Sequence, residues 1–383
     1  MRRFLILTAS MGDGHLRVAQ ELHRRLTERG DTAEVVDILG VLPLWIGPLL
    51  RGGYSAMLRH TPWLYDVIYR EFFVPRRRGI RPDPLVAASS PAIARLVKKH
   101  RPDVVLSTFH LCGQITGRLR RRDQLAVPSV VLVSDFVAHQ MWCHPGNDAF
   151  ICPSESTARD VVARTGKPAT AGAPLVRQAF LDGADAGTAR KRVRDELGVP
   201  PHEPMVLLSA GAWGTGDVGA AVREISSLGH ITIVLCGRNE RLRRSLQQQA
   251  EPAATKVLGW RDDVPDLMRG SDVLVDNAAG QTAIEALAIG LPVVGFRPLP
   301  GHGRDNVRAM HELGLSSLAN DRASLQQAID HLMRDVSARA AQIDAGRALF
   351  TVDPVSLLDF VPPDRIAPAV PTALTAPAPR PHR

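Results

Sequence analysis

Short apolar runs alternate with amphipathic stretches along most of the chain. Residues 4–7, 33–39, 104–107, 129–133, 149–152, 205–208, 231–235, 256–258, 273–275 and 292–296 are rich in Val, Ile and Leu. Most show no inside–outside alternation. That pattern predicts strands covered on both faces, as in a parallel sheet. Between them, apolar residues recur at helical spacing, as at Leu16, Ala19, Leu22 and Leu26, with arginines and glutamates between. The expected fold class is therefore α/β, built from doubly wound parallel sheets. The series stops after 171–177 and restarts at 205, beyond a polar helix over 188–197 and the segment Gly198-Val199-Pro200-Pro201. Two Rossmann-like domains facing across a cleft follow: 1–177 and 178–345. A C-terminal segment over 346–383 is Pro- and Ala-rich, with disorder expected from about residue 362.

One stretch breaks the alternation. Residues 41–73 hold all three tyrosines and two of the five tryptophans, and Arg76-Arg77-Arg78 follows directly. Two readings fit. Aromatic and apolar residues ending in arginines suit an insertion, over 41–78, that dips into an acidic membrane or receives an acceptor. An ordinary helical insertion packed on the core fits equally.

The strand ends carry the candidate chemistry. Strand 4–7 runs into Gly12-Asp13-Gly14-His15, so Gly14 and His15 stand where a helix begins, at the carboxyl edge of the sheet. Strand 104–107 delivers His110 to the same edge, and strand 129–133 delivers Asp135. The Gly12–His15 turn can be a tight βα connection and nothing more, or a cradle that aims His15 into a cleft as a general base. In the second half, strand 205–208 leads into a small-residue loop containing Ser209 and Gly211. Strand 273–275 leads into a turn at Gly280 and Gln281, with Thr282 opening a helix and Glu285 one turn in. Free backbone N–H groups at such a helix start suit a diphosphate, and an acid nearby suits ribose hydroxyls.

Composition narrows the partners. The 383 residues carry a net charge of +8, mostly from arginine, which favours an anionic ligand or surface. There is no recognition helix, aromatic RNA platform or zinc module, so nucleic acid is not expected. The four cysteines, Cys112, Cys143, Cys152 and Cys236, form neither a CxxC pair nor a metal spacing, and no metal is expected. No signal peptide and no membrane span are expected.

The motifs together resemble one family. Gly12-Asp13-Gly14-His15 is similar to the Gly-x-Gly-His loop of the monogalactosyldiacylglycerol synthases and processive diacylglycerol glucosyltransferases, relatives of the N-acetylglucosaminyltransferase that makes lipid II. Val133-Ser134-Asp135, Cys143-His144-Pro145, Cys152-Pro153-Ser154 and the 172–177 segment resemble further family motifs. So do Arg194-Asp195-Glu196-Leu197-Gly198, Thr282 with Glu285-Ala286-Leu287, Gly290-Leu291-Pro292, and Pro300-Gly301 with Asn306. Three places depart from the family. Ala279-Gly280-Gln281 replaces Gly-Pro-Gly, His302-Gly303 replaces Gln-Glu, and Ala210-Gly211-Ala212-Trp213 replaces a glycine run.

The resemblance implies a GT-B fold and a metal-independent, inverting transfer of a hexose from a UDP-sugar to a lipid hydroxyl such as that of diacylglycerol. UDP-sugar is the donor substrate, and no further cofactor is implied. His15 is the expected base, with Asp135 or His110 as an alternative base or an orienter. The expected donor contacts are Gly14, Ser209, Gly211, Trp260, Gly280, Gln281, Thr282, Glu285, His302 and Asn306. For Trp260, contact with the uracil and service as a core anchor both fit. The expected location is the cytoplasmic face of the plasma membrane, as a peripheral protein on an anionic surface. Other activities compatible with the same motifs are transfer to a secondary metabolite, UDP-sugar epimerisation, and nucleotide binding without turnover.

Overall fold

The computed structural model describes residues 1–42, 46–74, 83–183, 185–251 and 253–360. Its core is two six-stranded parallel sheets. The first contains β1 (Arg3–Thr8), β2 (Thr32–Asp37), β3 (Val104–Ser107), β4 (Ser129–Leu132), β5 (Ala149–Cys152) and β6 (Ala169–Ala171), in the order β2-β1-β3-β4-β5-β6. The second contains β7 (Met205–Ser209), β8 (Ile231–Leu235), β9 (Thr255–Leu258), β10 (Val273–Asp276), β11 (Val293–Phe296) and β12 (Ser317–Ala319), in the order β12-β11-β10-β7-β8-β9. Helices cover both faces, so consecutive residues such as Leu5, Ile6 and Leu7 are all fully buried. That is why the strands read as unbroken apolar runs. The second strand is shorter than the 33–39 run suggests. It ends at Asp37, whose carboxylate accepts the Leu39 N–H and opens a 3₁₀ turn.

In each sheet the strand order reverses once, between β1 and β3 and between β7 and β10. Loops diverge at such a point and leave a crevice at the carboxyl edge. His15 follows β1, His110 follows β3, Ser209 follows β7 and Gly280 follows β10, so the two crevices hold the candidate residues of both halves.

The Arg194 motif has a structural explanation. The buried Arg194 guanidinium donates to the carbonyls of Gly270 and Pro200 at 2.9 Å each and pairs with Asp272 at 2.7 Å. Asp272 also accepts the Met205 N–H. The helix Ala186–Leu197 is thereby tied to the amino-terminal ends of β7 and β10. Removing one member of such a buried pair costs about 3–5 kcal/mol.

The C-terminal segment does something its sequence does not announce. After the helix Val336–Ala348 the chain returns to the first domain. Val355 and Leu358 are buried in its core with Phe4, Ile6 and Leu26. The Ala173 N–H donates to the Val352 carbonyl at 2.7 Å, and Arg29 pairs with Asp359. The expected disorder beyond 362 concerns residues outside those described.

The 41–78 stretch forms two helices, Ile46–His60 and Pro62–Phe72; Leu44, Trp45 and Arg76 to Arg78 lie outside the described residues. Tyr65 and Tyr69 are buried against the second domain, while Trp63 and Val67 are 66% and 49% exposed.

Candidate active site

The carboxyl edges of the two sheets face each other, and the first residues of two helices meet there. Gly14 opens the helix Gly14–Glu28, Gln281 opens Gln281–Ile289, and a Cβ on Gly14 would stand 3.4 Å from the Gln281 Cβ. Between the edges lies a cavity of about 250 Å³. Gly14, Ser209, Gly211, Trp260, Gly280, Gln281, Thr282 and Glu285 all line it. The strand order lays the cavity out. Trp260 follows β9 at one end, the Ser209 loop follows β7, Gly280 follows β10, and Leu299 follows β11 at the other end.

The Gly280 turn is built by Asp276. Its buried carboxylate accepts the N–H groups of Ala278 at 2.9 Å and Ala279 at 2.6 Å. Ala279 is thereby held at φ +50°, a conformation glycine adopts more easily. No side chain caps the helix that follows, so its first N–H groups and positive dipole end face the cavity. Glu285 projects one turn in. It is buried, and its Oε1 has no hydrogen-bond partner. Burial pushes its pKa up to about 7, against the pull of Arg17 and Arg177. A buried, unpartnered carboxylate oxygen is costly and calls for a donor from a ligand.

Trp260 stands at the cavity end with one face already covered. The Arg238 guanidinium lies 3.6 Å from its ring centre and pairs with Asp13 of the Gly12–His15 turn at 2.6 Å. Arg17 approaches the same ring at 5.4 Å. The arrangement links the base of the first helix to the far end of the second domain. Gln281 also bridges the domains, since its side-chain amide donates to the Leu175 carbonyl at 2.9 Å.

Beside the cavity is a second cluster, of imidazoles. His15 Nδ1 lies 3.0 Å from the Thr108 carbonyl. A carbonyl only accepts, so Nδ1 carries the hydrogen and Nε2 keeps its lone pair. Desolvation lowers the His15 pKa despite the nearby Asp135 charge, so the ring is neutral at pH 7. Phe109 packs edge-on at 5.0 Å and Trp142 lies at 6.2 Å. His110 has a buried Nδ1 with no partner, and its ring contacts Phe109, Phe73, His139 and Trp142.

Asp135 is the anchor of this cluster. It accepts from Trp142 Nε1 at 2.7 Å and from Asn306 Nδ2 at 3.0 Å, and pairs with His139 Nε2 at 3.3 Å. Burial alone would raise its pKa. The His139 and Trp142 hydrogen bonds and the neighbouring imidazoles outweigh burial and hold it well below the usual carboxylate range. A carboxylate so firmly held as an acceptor orients its neighbours and is a poor proton acceptor. His139 is a member that the motif reading passed over, although its spacing of four from Asp135 was visible in the sequence.

His302 and Asn306 sit apart from the cavity wall. Asn306 is buried, bonding Asp135 through Nδ2 and the Val137 N–H through Oδ1 at 3.1 Å. His302 Nδ1 meets the Tyr65 hydroxyl. Nearby, the Tyr69 hydroxyl donates to Asp305 at 2.8 Å and Arg304 pairs with Asp66 at 2.9 Å. The start of the helix His302–Glu312, which follows β11, is thus clasped by the helix Pro62–Phe72. Gly301, at φ +70°, permits this: a Cβ there would lie 2.8 Å from the Tyr65 ring. Among the described residues, no group of three or more His, Cys, Asp or Glu side chains is placed to hold a metal ion. No helix among them is long and apolar enough to cross a membrane.

Paired parallel sheets with a cavity between their carboxyl edges define the GT-B fold of glycosyltransferases. Solved structures with this architecture include MurG of Acinetobacter baumannii, with TM-score 0.59 and 15% identity over 94% of this chain and 99% of that one. Anabaena HepE in complex with UDP-glucose has TM-score 0.55 and 13% identity over 91% of this chain and 94% of that one. Residues 15–171 match the family model of monogalactosyldiacylglycerol (MGDG) synthase, and residues 213–335 match that of glycosyl transferases group 1. The processive diacylglycerol beta-glucosyltransferases of Bacillus licheniformis and Bacillus subtilis are each 25% identical to the chain over 355 residues, covering 87% of both partners. Over both halves, the chain thus resembles glycosyltransferases of this diacylglycerol type.

Proposed function

We propose that the protein transfers a neutral hexose from a UDP-sugar to a lipid hydroxyl of the diacylglycerol kind, with inversion at the anomeric carbon. The observation that carries the donor half is the unpartnered, buried Glu285 oxygen beside an uncapped helix start in the cleft. The helix N–H groups at Gly280 to Thr282 would receive the diphosphate, and Glu285 the ribose hydroxyls. The uracil would lie at the Trp260 end, where it competes with Arg238 for the ring face. The names of the Bacillus relatives support the lipid acceptor, and the UDP-glucose bound to the Anabaena structure supports the donor class.

In this reading, Nε2 of neutral His15 takes the proton of the acceptor hydroxyl as its oxygen attacks the sugar carbon from the side opposite the diphosphate. Thr108 holds the imidazole in the required tautomer. Asp135, fixed by Trp142, His139 and Asn306, stabilises the imidazolium at a distance. The departing diphosphate gains charge that the helix start offsets. No cofactor beyond the donor enters the proposal. The exposed Trp63, Leu64 and Val67 face, with Arg70 on the same helix, is where an anionic membrane surface would meet the protein, at the cytoplasmic side of the plasma membrane.

The test is product analysis by mass spectrometry. Purified protein is incubated with UDP-glucose, UDP-galactose and diacylglycerol in anionic vesicles. A hexosyl-diacylglycerol with stoichiometric UDP is expected. UDP release without glycolipid, or no UDP binding by the protein, would sink the reading.

A further inference from the structure

We infer that the donor sugar is read from the first domain: Tyr54 and Leu58 of the inserted helix, with Trp213 of the second domain, form an uncharged wall on which a neutral hexopyranose packs. This rests on the donor reading above and extends it to the sugar. All three residues line the cavity, together with Met11 and Leu299. Leu299 follows β11 and Trp213 follows β7, so they stand away from the Trp260 end assigned to the base. The cavity's ionisable side chains belong elsewhere. Arg261 follows Trp260, Asp13 and Arg17 flank the first helix start, Asp276 is turned into its own loop, and Glu285 lies behind Gly280. An aromatic and aliphatic wall suits the C–H face of a sugar ring and disfavours a carboxylate, which it would leave unpaired.

The wall is rigid and has a polar tip. The Tyr54 ring meets Trp213 edge-on at 5.8 Å and Tyr65 at 5.3 Å. Its hydroxyl is hydrogen-bonded to that of Tyr65, which in turn meets His302 Nδ1. When His302 donates to Tyr65 and Tyr65 to Tyr54, the Tyr54 hydrogen is the free end of the chain and can bond a sugar hydroxyl. Burial pushes the Tyr54 pKa up to about 12, so this hydrogen is retained at neutral pH. Tyr65 is a positioning residue here, and the clasp at Gly301 keeps the chain assembled. Trp213 lies in the loop where related sequences carry glycines, and His302-Gly303 stands where they carry Gln-Glu. Both departures meet side chains from across the cleft, Trp213 against Tyr54 and His302 against Tyr65.

The experiment is calorimetric titration of the full chain with UDP, UDP-glucose, UDP-galactose and UDP-glucuronate. The expected result is that at least one neutral UDP-hexose binds roughly tenfold tighter than UDP-glucuronate. Tyr54→Phe keeps the ring and removes the hydroxyl. It should weaken that UDP-hexose by about tenfold while leaving UDP unchanged. Trp213→Ala should reduce the preference for the neutral sugar over UDP-glucuronate. The inference is overturned if UDP-glucuronate binds as tightly as the neutral sugars. It is equally overturned if Tyr54→Phe shifts UDP and UDP-hexose alike, or if Trp213→Ala leaves selectivity intact. Absence of UDP binding by the unmodified protein would remove the donor reading first, and this inference with it.

Discussion

Two glycine turns open two helices that meet head to head, yet they present different things. The turn after β1 places a side chain. His15 stands at the second helical position, with one ring nitrogen fixed by Thr108 and the other left with its lone pair. The turn after β10 places backbone. Its side chains are directed away from the helix axis: Asp276 folds back onto Ala278 and Ala279, and Gln281 reaches across to Leu175. The same local geometry can therefore serve proton transfer or anion binding. What decides is whether the residue after the last glycine carries a titratable ring or is engaged elsewhere. Taken singly, neither turn distinguishes the two uses. The difference appears only when the opposite edge of the cleft is in view.

The comparison is most severely tested at His15. His15→Ala should reduce the transfer rate by about 10²–10⁴-fold while UDP affinity stays within a few-fold, because only the first turn is altered. A fall in UDP affinity as large as the fall in rate would mean that the two turns share one role. The wild-type rate should also decline on acidification with a midpoint below 6.5, since desolvation lowers the His15 pKa.

A smaller effect is expected from Glu285, on the backbone-presenting side. Its folded pKa of about 7 is raised above the unfolded value of about 4.3. The ionised form is thus disfavoured in the free protein, and this cost to stability is absent below the unfolded pKa and complete above pH 7. Ribose hydroxyls donate to the carboxylate and favour the ionised form. UDP affinity should therefore rise from about pH 5.5 to about pH 7, by at most tenfold per unit, and then level off. Glu285→Gln should bind UDP more weakly at pH 8 and lose this dependence. Titration calorimetry across that range decides, and an unchanged slope in the variant would remove Glu285 from the nucleotide site.

The smallest effect belongs to the pair that joins the ends of the cleft. Asp13 and Arg238 are 22% and 55% exposed, so Asp13→Asn should change the melting free energy by less than about 1 kcal/mol. It should nonetheless raise UDP affinity slightly, because Arg238 then competes less for the Trp260 face. Weaker UDP binding in the variant would mean instead that Asp13 holds Arg238 where the nucleotide uses it.

The strands and the donor-side turn were legible in the sequence because their causes are local. A fully buried parallel strand reads as an apolar run, and a helix start after small residues reads as a turn. The histidine cluster was half legible, since His15, His110 and Asp135 each stand at a predicted strand end. The rest depends on contacts far apart in the chain. Tyr65 with His302 and Tyr69 with Asp305 join residues more than two hundred positions apart, and nothing local to a tyrosine-rich helix says that its partner is a helix start in the other domain. Asn306 is an expected donor contact from its motif, and its hydrogen bonds in the structure run to Asp135 and Val137. Arg238 was missed because a guanidinium over an indole has no sequence signature.

The return of the last described residues to the first domain has a consequence for biosynthesis. Val355 and Leu358 fill the same core as Phe4 and Leu26, so the amino-terminal half emerges from the ribosome with that core incomplete. The carboxy-terminal half, whose six-stranded sheet is built by contiguous sequence from β7 to β12, can consolidate as it is made. Folding of the first half finishes only after synthesis of the second, and the nascent amino-terminal domain is the part most exposed to misassembly in the interval.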